Sequence, residues 1–178
     1  MDHSDHVYLL SKGVSSNDST WADFGSGGGA FTLALAELLG SSGQIHSIDA
    51  DRSALARQQR SLAASFPDRV LHTYNADFTQ PLDLPPLDGL VVANALHFLP
   101  QKDATVQRLM SYLRPGGSFL IVEYDTDRGN RWVPHPFTFE QWRGIAQRSG
   151  LERTELLAVA PSSFLGGFYS AMSRKPEI

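Results

Sequence analysis

From position 21 onward, short runs of apolar residues alternate with longer stretches in which apolar residues recur every three or four positions. Continuous or period-two runs read as strands, and a period of about 3.6 reads as helix. The pattern predicts strands over 21–24, 44–49, 70–74, 89–93, 118–124, 152–160 and 164–173, with helices over 30–39, 53–66, 101–113 and 137–149. In the first helix Phe31, Leu33, Leu35 and Leu38 form the apolar stripe, which Gly40 and the turn Ser41-Ser42-Gly43 end. In the second, Leu55, Leu62 and Phe66 are expected inward and Arg57, Gln58 and Arg60 outward, with Pro67 as the stop. The run 89–93 is apolar throughout, as in a strand covered on both faces, so it belongs at the centre of the sheet. Strand–helix alternation of this kind predicts an α/β fold, a parallel sheet wrapped by helices.

The remaining segments are irregular. Pro81, Pro85 and Pro86 mark a loop before the central strand, and Arg114-Pro115-Gly116-Gly117 is expected to turn the chain. Residues 125–136, rich in Arg, Trp, His and Pro, read as a functional substrate loop. The segment 1–20 is expected to act as a short lid through Tyr8, Leu9 and Leu10.

Composition narrows the class. A chain of 178 residues suits one domain with one sizeable core. With 42% hydrophobic and 19% charged residues it is too apolar for a disordered chain. Fifteen Lys and Arg against nineteen Asp and Glu give a net charge of −4 without a basic block, which does not favour nucleic acid as a partner. The absence of cysteine excludes disulfides, thiolate metal sites and a cysteine nucleophile. Neither a secretion signal nor a membrane span is expected: the most apolar stretch, 90–99, is far short of the ~20 residues a span needs and contains Asn94 and His97. A cytoplasmic location is the expectation, and His3 and His6 without a further ligand give no metal site.

The strongest chemical signal is Asp23-Phe24-Gly25-Ser26-Gly27-Gly28-Gly29, set between a strand and a helix. Glycines there let the backbone turn tightly and let a ligand press against bare main chain. Asp49 closes the next strand about 20 residues on, where a carboxylate can accept from both ribose hydroxyls of a bound nucleoside. The same loop also satisfies the dinucleotide pattern, so a nicotinamide-dependent oxidoreductase is an alternative. Asp23, the short chain, and later landmarks at Asp77, Asn94 and Pro115-Gly116-Gly117 count against it.

With these landmarks the sequence resembles the class I S-adenosylmethionine-dependent methyltransferases, of the type 11 and type 25 methyltransferase-like domains, over about 21–173. Asp23, Gly25, Gly27 and Gly29 match the first motif, Asp49 the ribose acid, and Asn75-Ala76-Asp77-Phe78 the segment that holds the adenine. The strand 88–94 with Ala95-Leu96-His97-Phe98 matches the fourth motif, and Leu113-Arg114-Pro115-Gly116-Gly117 the fifth. The resemblance implies a Rossmann-like three-layer sandwich with a seven-stranded, mostly parallel sheet whose last strand is antiparallel. It implies S-adenosylmethionine as cofactor, held by Asp23, Gly25, Ser26, Gly27, Gly29, Asp49, Ala50, Asp77, Phe78, Asn94 and Leu96. The family often carries a longer N-terminal helical cap, so a pocket that is either unusually open or completed by a partner chain or a second copy is expected here.

Asn94 is not followed by the Pro-Pro-aromatic sequence of enzymes that methylate adenine or glutamine nitrogens, which leaves a small-molecule acceptor as the leading reading. Such chemistry needs alignment of a nucleophile with an activated methyl group and a place for a proton. His97, Tyr124, Asp125 and His135 are the candidates for that proton, His97 first. Packing of His97 beside Phe98, or capping of the next helix, is its structural alternative. Trp132 and Phe137 would suit an aromatic or apolar acceptor body. A non-catalytic cofactor-binding subunit of the same fold is a third reading.

Overall fold

The computed structural model describes residues 1–17 and 19–178; position 18, inside the segment expected as a lid, lies outside the described residues. Among the described residues five helices and seven strands follow in the order α1 (His3–Ser11), β1 (Thr20–Phe24), α2 (Ala30–Leu38), β2 (Gln44–Asp49), α3 (Arg52–Ser65), β3 (Val70–Asn75), β4 (Leu87–Ala93), α4 (Asp103–Ser111), β5 (Leu113–Tyr124), α5 (Phe139–Arg148), β6 (Glu152–Pro161) and β7 (Gly167–Arg174). A single 3₁₀ turn, Leu96–Phe98, follows β4.

The strands form one sheet in the order β3-β2-β1-β4-β5-β7-β6. β1 to β5 pair in parallel, and β7 runs antiparallel to both β5 and β6. This is the expected seven-stranded sheet. β4 is central, between β1 and β5, with Leu90, Val91 and Val92 fully buried. Helical stripes of apolar residues bury against a sheet face, and here they do so on both sides. Leu35 and Leu62 of α2 and α3 join one core with Val91 and Leu120; Val106, Leu109 and Trp142 of α4 and α5 join the other with Leu90 and Phe119. No helix stands between β3 and β4, where the proline-marked loop was expected.

Three expectations are corrected. Leu9 and Leu10 do not form a lid: both are fully buried in the first core, because α1 lies against α2 and β6 and covers sheet surface that would otherwise face water. Residues 113–117 do not leave the sheet. Gly116, at φ +74°, donates to Lys175 O, and Lys175 N donates to Gly117 O, so the fifth strand is extended through a bulge. Helix α3 starts one residue early because Asp51 caps it, accepting from Ser53 N and Ala54 N.

Arg69, just before β3, holds the far end of α2. Its guanidinium donates to the carbonyls of Ala36, Leu39 and Gly40, and to that of Gly43 across the turn. A cation here complements the negative helix C-terminus and satisfies carbonyls that have no partner within the helix.

Candidate functional site

The glycine loop is assembled at the C-terminal ends of β1 and β2, where open α/β sheets bind ligands. Gly25 N and Ser26 N both donate to Ile48 O, at 2.9 and 3.1 Å, tying the loop to the end of β2. Asp49, the residue after Ile48, accepts from Gly27 N at 2.7 Å through one oxygen and from Asp51 N at 2.8 Å through the other. Each oxygen keeps a second lone pair for a ligand hydroxyl. Asn75 at the end of β3 donates to the carbonyls of Asp49 and Ala50, so the ends of β2 and β3 are locked together.

Gln58 was expected to face solvent, and the structure reverses that. It is 1% exposed, and its side chain runs under the glycine loop. Nε2 donates to Ser26 Oγ at 2.8 Å and Gly27 O at 3.1 Å, while Oε1 accepts from Ser47 Oγ at 2.7 Å. Ser47 and Ser26 are bonded to each other at 2.6 Å. The spacing of 55, 58 and 62 puts Gln58 on the inward stripe of α3; its polarity, not its position, pointed outward. Gly29 is required beside it. It sits at φ +88°, and a Cβ there would lie 2.5 Å from Gln58 Cβ.

These bonds redistribute the predicted cofactor residues. Ser26 spends its hydroxyl and its N–H inside the loop. Asp23 is 1% exposed and accepts from Thr32 Oγ1 at 2.7 Å, so it fastens the start of α2 from beneath instead of meeting a ligand. Burial pushes its carboxyl up to about 7; the Thr32 hydrogen bonds oppose this and the Asp49 charge adds to it. Leu96 is fully buried in the second core, and its N–H is taken by Glu123, so it too supports the site from behind.

What remains faces open space. Nothing lies within 4 Å of a Cβ built on Gly27 or Gly28. Gly25, at φ +71°, is flanked by Ala95 and Phe78, whose atoms a Cβ would meet at 2.8 and 3.2 Å, so the first, third and fourth motifs converge on its backbone. Asp77 is exposed and forms a local turn, accepting from Thr79 N and Oγ1. Asn94 adopts the left-handed φ of +52°, which Asn tolerates better than most residues, and its N–H donates to Val122 O. Its Oδ1 is buried with no hydrogen-bond partner. An orphaned amide oxygen is an acceptor in want of a donor, and the bare loop beside Asp49 is room for a nucleoside. An adenosyl cofactor with an amino-acid tail fits this chemistry, since it brings a donor for an orphaned acceptor, hydroxyls for a carboxylate and a flat base for an aromatic wall.

His97, on the turn after Asn94, is 3% exposed. Its Nδ1 lies 2.7 Å from Oε2 of Glu123, which is itself fully buried. Glu123 Oε1 also accepts from Leu96 N at 3.0 Å and His97 N at 3.4 Å. A carboxylate only accepts, so Nδ1 is the donor of this bond, and in the neutral ring the lone pair then lies on Nε2. The ring also packs 4.4 Å from that of Phe98, so the structural alternative and the chemical one occupy the same side chain. Sequence reasoning missed Glu123, although an acid inside the apolar run 118–124 was its signal. Burial raises the Tyr124 hydroxyl, and Glu123 raises it further. Asp125 is exposed and accepts from Phe139 N at 3.0 Å, which gives it a structural task at the start of α5. His135 is exposed; its N–H donates to His97 O at 2.9 Å and so pins the loop 125–136 to the His97 turn. Phe137 is 3% exposed in the second core and is not available to an acceptor.

Solved structures share this architecture. The YcgJ protein from Bacillus subtilis matches with a TM-score of 0.78 at 12% identity, over 99% of this chain and 100% of that one. The N-methyltransferase NodS from Bradyrhizobium japonicum, in complex with S-adenosylhomocysteine, matches with a TM-score of 0.73 at 22% identity, over 98% and 86%. A phosphoethanolamine N-methyltransferase from Haemonchus contortus, also with S-adenosylhomocysteine, gives 0.75 at 14% identity, over 97% of this chain and 52% of that one. At these identities the likeness establishes the fold. No curated protein sequence matches the chain. Among the described residues no helix is long and apolar enough to cross a membrane. The model of the methyltransferase domain family matches residues 22–119, more than half of the chain and all of the loop, Asp49, Asp77 and His97 segments, and the chain therefore belongs to that S-adenosylmethionine-dependent family.

Proposed function

We propose that this protein transfers a methyl group from S-adenosylmethionine to a hydroxyl or amine of a small-molecule acceptor in the cytoplasm. When bound, the sulfonium cofactor supplies a methyl group already activated for attack. The chain's own residues then have two tasks, alignment and proton removal. Asn94 and the glycine loop provide the first by holding the cofactor's two ends. His97 provides the second: Glu123 fixes its tautomer and ring orientation, and Nε2 takes the acceptor's proton.

The observation that carries this reading is the buried 2.7 Å His97–Glu123 pair, three residues beyond the unpartnered amide oxygen of Asn94. A wholly structural histidine in that position needs no buried acid, whose burial is expensive without a compensating partner. The test has two stages. Calorimetry should show S-adenosylmethionine and S-adenosylhomocysteine binding and NADH not binding; the opposite pattern would overturn the assignment. With an acceptor from a product-coupled screen, His97→Ala should lower turnover about 10²–10⁴-fold with unchanged cofactor affinity. Glu123→Gln should move the pH profile of turnover, because the imidazolium formed on proton uptake loses its counter-charge. Full activity in His97→Ala would exclude the role.

A further inference from the structure

Beyond His97 the site edge carries a row of aromatic rings: Tyr124 is packed against the first core, and the rings after it stand out into water. Tyr124 lies 6.1 Å from His97, Phe164 lies 6.1 Å from Tyr124, and Trp132 stands edge-on to Phe164 at 6.1 Å, each measured between ring centroids. The row runs from the buried imidazole to solvent: Phe164 is 50% exposed and Trp132 65% exposed. Trp132 and Phe164 come from two separate loops, and both loops are tied. Asn130 Oδ1 accepts from Trp132 N and Val133 N, and Asn130 N returns to Val133 O. Ser162 Oγ accepts from Phe164 N at 3.1 Å, while Ser162 N reaches Gly166 O. Two loops thus hold large apolar rings in water, edge against face, at the outer end of a row that leads through Tyr124 to His97.

We propose that this row is the acceptor's platform, and that the acceptor is a small planar aromatic molecule bearing a hydroxyl or amino group; this rests on the methyltransferase reading above. Its flat body lies against Trp132 and Phe164, and its nucleophile points past Tyr124 toward His97. The size of the row argues for a small ligand. At 150–250 Å² for a whole aromatic side chain, the exposed parts of Trp132 and Phe164 total roughly 200 Å². A stable protein interface needs about 800 Å² from each partner. The chemistry argues for a ring: offset and edge-to-face contacts between aromatic groups add to ordinary area burial. A saturated body of the same size gains only the latter.

The test compares 2-naphthol with decalol, its saturated bicyclic counterpart, by calorimetry on protein saturated with S-adenosylhomocysteine. Naphthol should bind about tenfold more tightly, the upper range of a favourable aromatic contact. Trp132→Ala and Phe164→Ala should each weaken naphthol about tenfold and leave S-adenosylhomocysteine affinity unchanged. In spectra of the indole N–H groups, naphthol should shift the Trp132 signal, whereas Trp21 and Trp142, 3% and 0% exposed, stay in place. Equal binding of the two alcohols, indifference of naphthol to both variants, or no naphthol binding to cofactor-loaded protein would overturn the proposal while leaving the methyltransferase reading intact. Failure of S-adenosylhomocysteine to bind at all would instead remove the reading on which it rests.

Discussion

Replacing Asp23 by Asn should make the protein more stable at alkaline pH and reverse how its stability depends on pH. In the folded chain the Asp23 carboxyl is pushed from its ordinary 3.8 up to about 7 by complete burial, against the pull of Thr32. Between those values the folded protein holds a proton that the unfolded chain has released, so stability is full below pH 4 and falls as pH rises through 7. Going from 3.8 to about 7, at about 1.36 kcal/mol for each tenfold change in proton affinity, amounts to roughly 4 kcal/mol. Asn is close to the same shape, has no charge to bury, and keeps an oxygen for the Thr32 hydroxyl now bonded at 2.7 Å. His46 supplies an opposing slope. Burial, with a smaller push from His72, lowers its imidazole to about 4, so its contribution is full above pH 6.5 and is lost as pH falls toward 4. In the wild type the two slopes oppose each other; in Asp23→Asn the His46 slope, to which His6, also lowered by burial, adds, is left unopposed. Urea unfolding from pH 5 to pH 8 measures this directly. With a slope of about 2 kcal/mol per M, the variant's midpoint should exceed the wild type's by roughly 2 M at pH 8, and the gap should close toward pH 5. Parallel profiles across that range would refute the reasoning, since they would mean that Asp23 is ionised in both states throughout.

Gln58→Leu should raise the dissociation constant for S-adenosylhomocysteine about tenfold, because the loop loses three bonds, and the buried Ser47 hydroxyl and the half-buried Ser26 hydroxyl lose a partner at about 1–3 kcal/mol for a fully buried unsatisfied group. Titration below the variant's melting range measures this, and an unchanged constant would show that the loop holds its shape without Gln58. Asp49→Ala should weaken cofactor binding more than Asp77→Ala, by about 10- to 100-fold for the loss of one or two charge-assisted bonds. The structure strengthens that ordering, since Asp49 also holds Gly27 N, while Asp77 holds only its own turn; equal losses in the two variants would contradict it.

The elements and the loop were legible in the sequence because their causes are local. A continuous apolar run such as 89–93 belongs wherever both faces are covered, and glycines at 25 and 29 mark backbone angles that other residues reach only under strain. The carboxylate at 49 follows from the same geometry: a parallel strand that pairs with β1 must end beside the loop that ends β1. Side-chain partners are another matter, since they depend on which faces meet. Gln58 has the spacing of a core residue and the chemistry of a surface one, and only the docking of α3 under the loop gave its amide the hydroxyls of Ser26 and Ser47 and the Gly27 carbonyl as partners. Glu123 became intelligible when the turn after β4 brought His97 and two backbone N–H groups to it. Arg69 caps a helix that ended thirty residues earlier, and Trp132 meets Phe164 because two distant loops close over the same strand ends. Periodicity and backbone strain are properties of neighbouring residues, so the sequence states them; a buried charge or polar group is stable only through partners far along the chain, and the tertiary structure alone decides who those partners are.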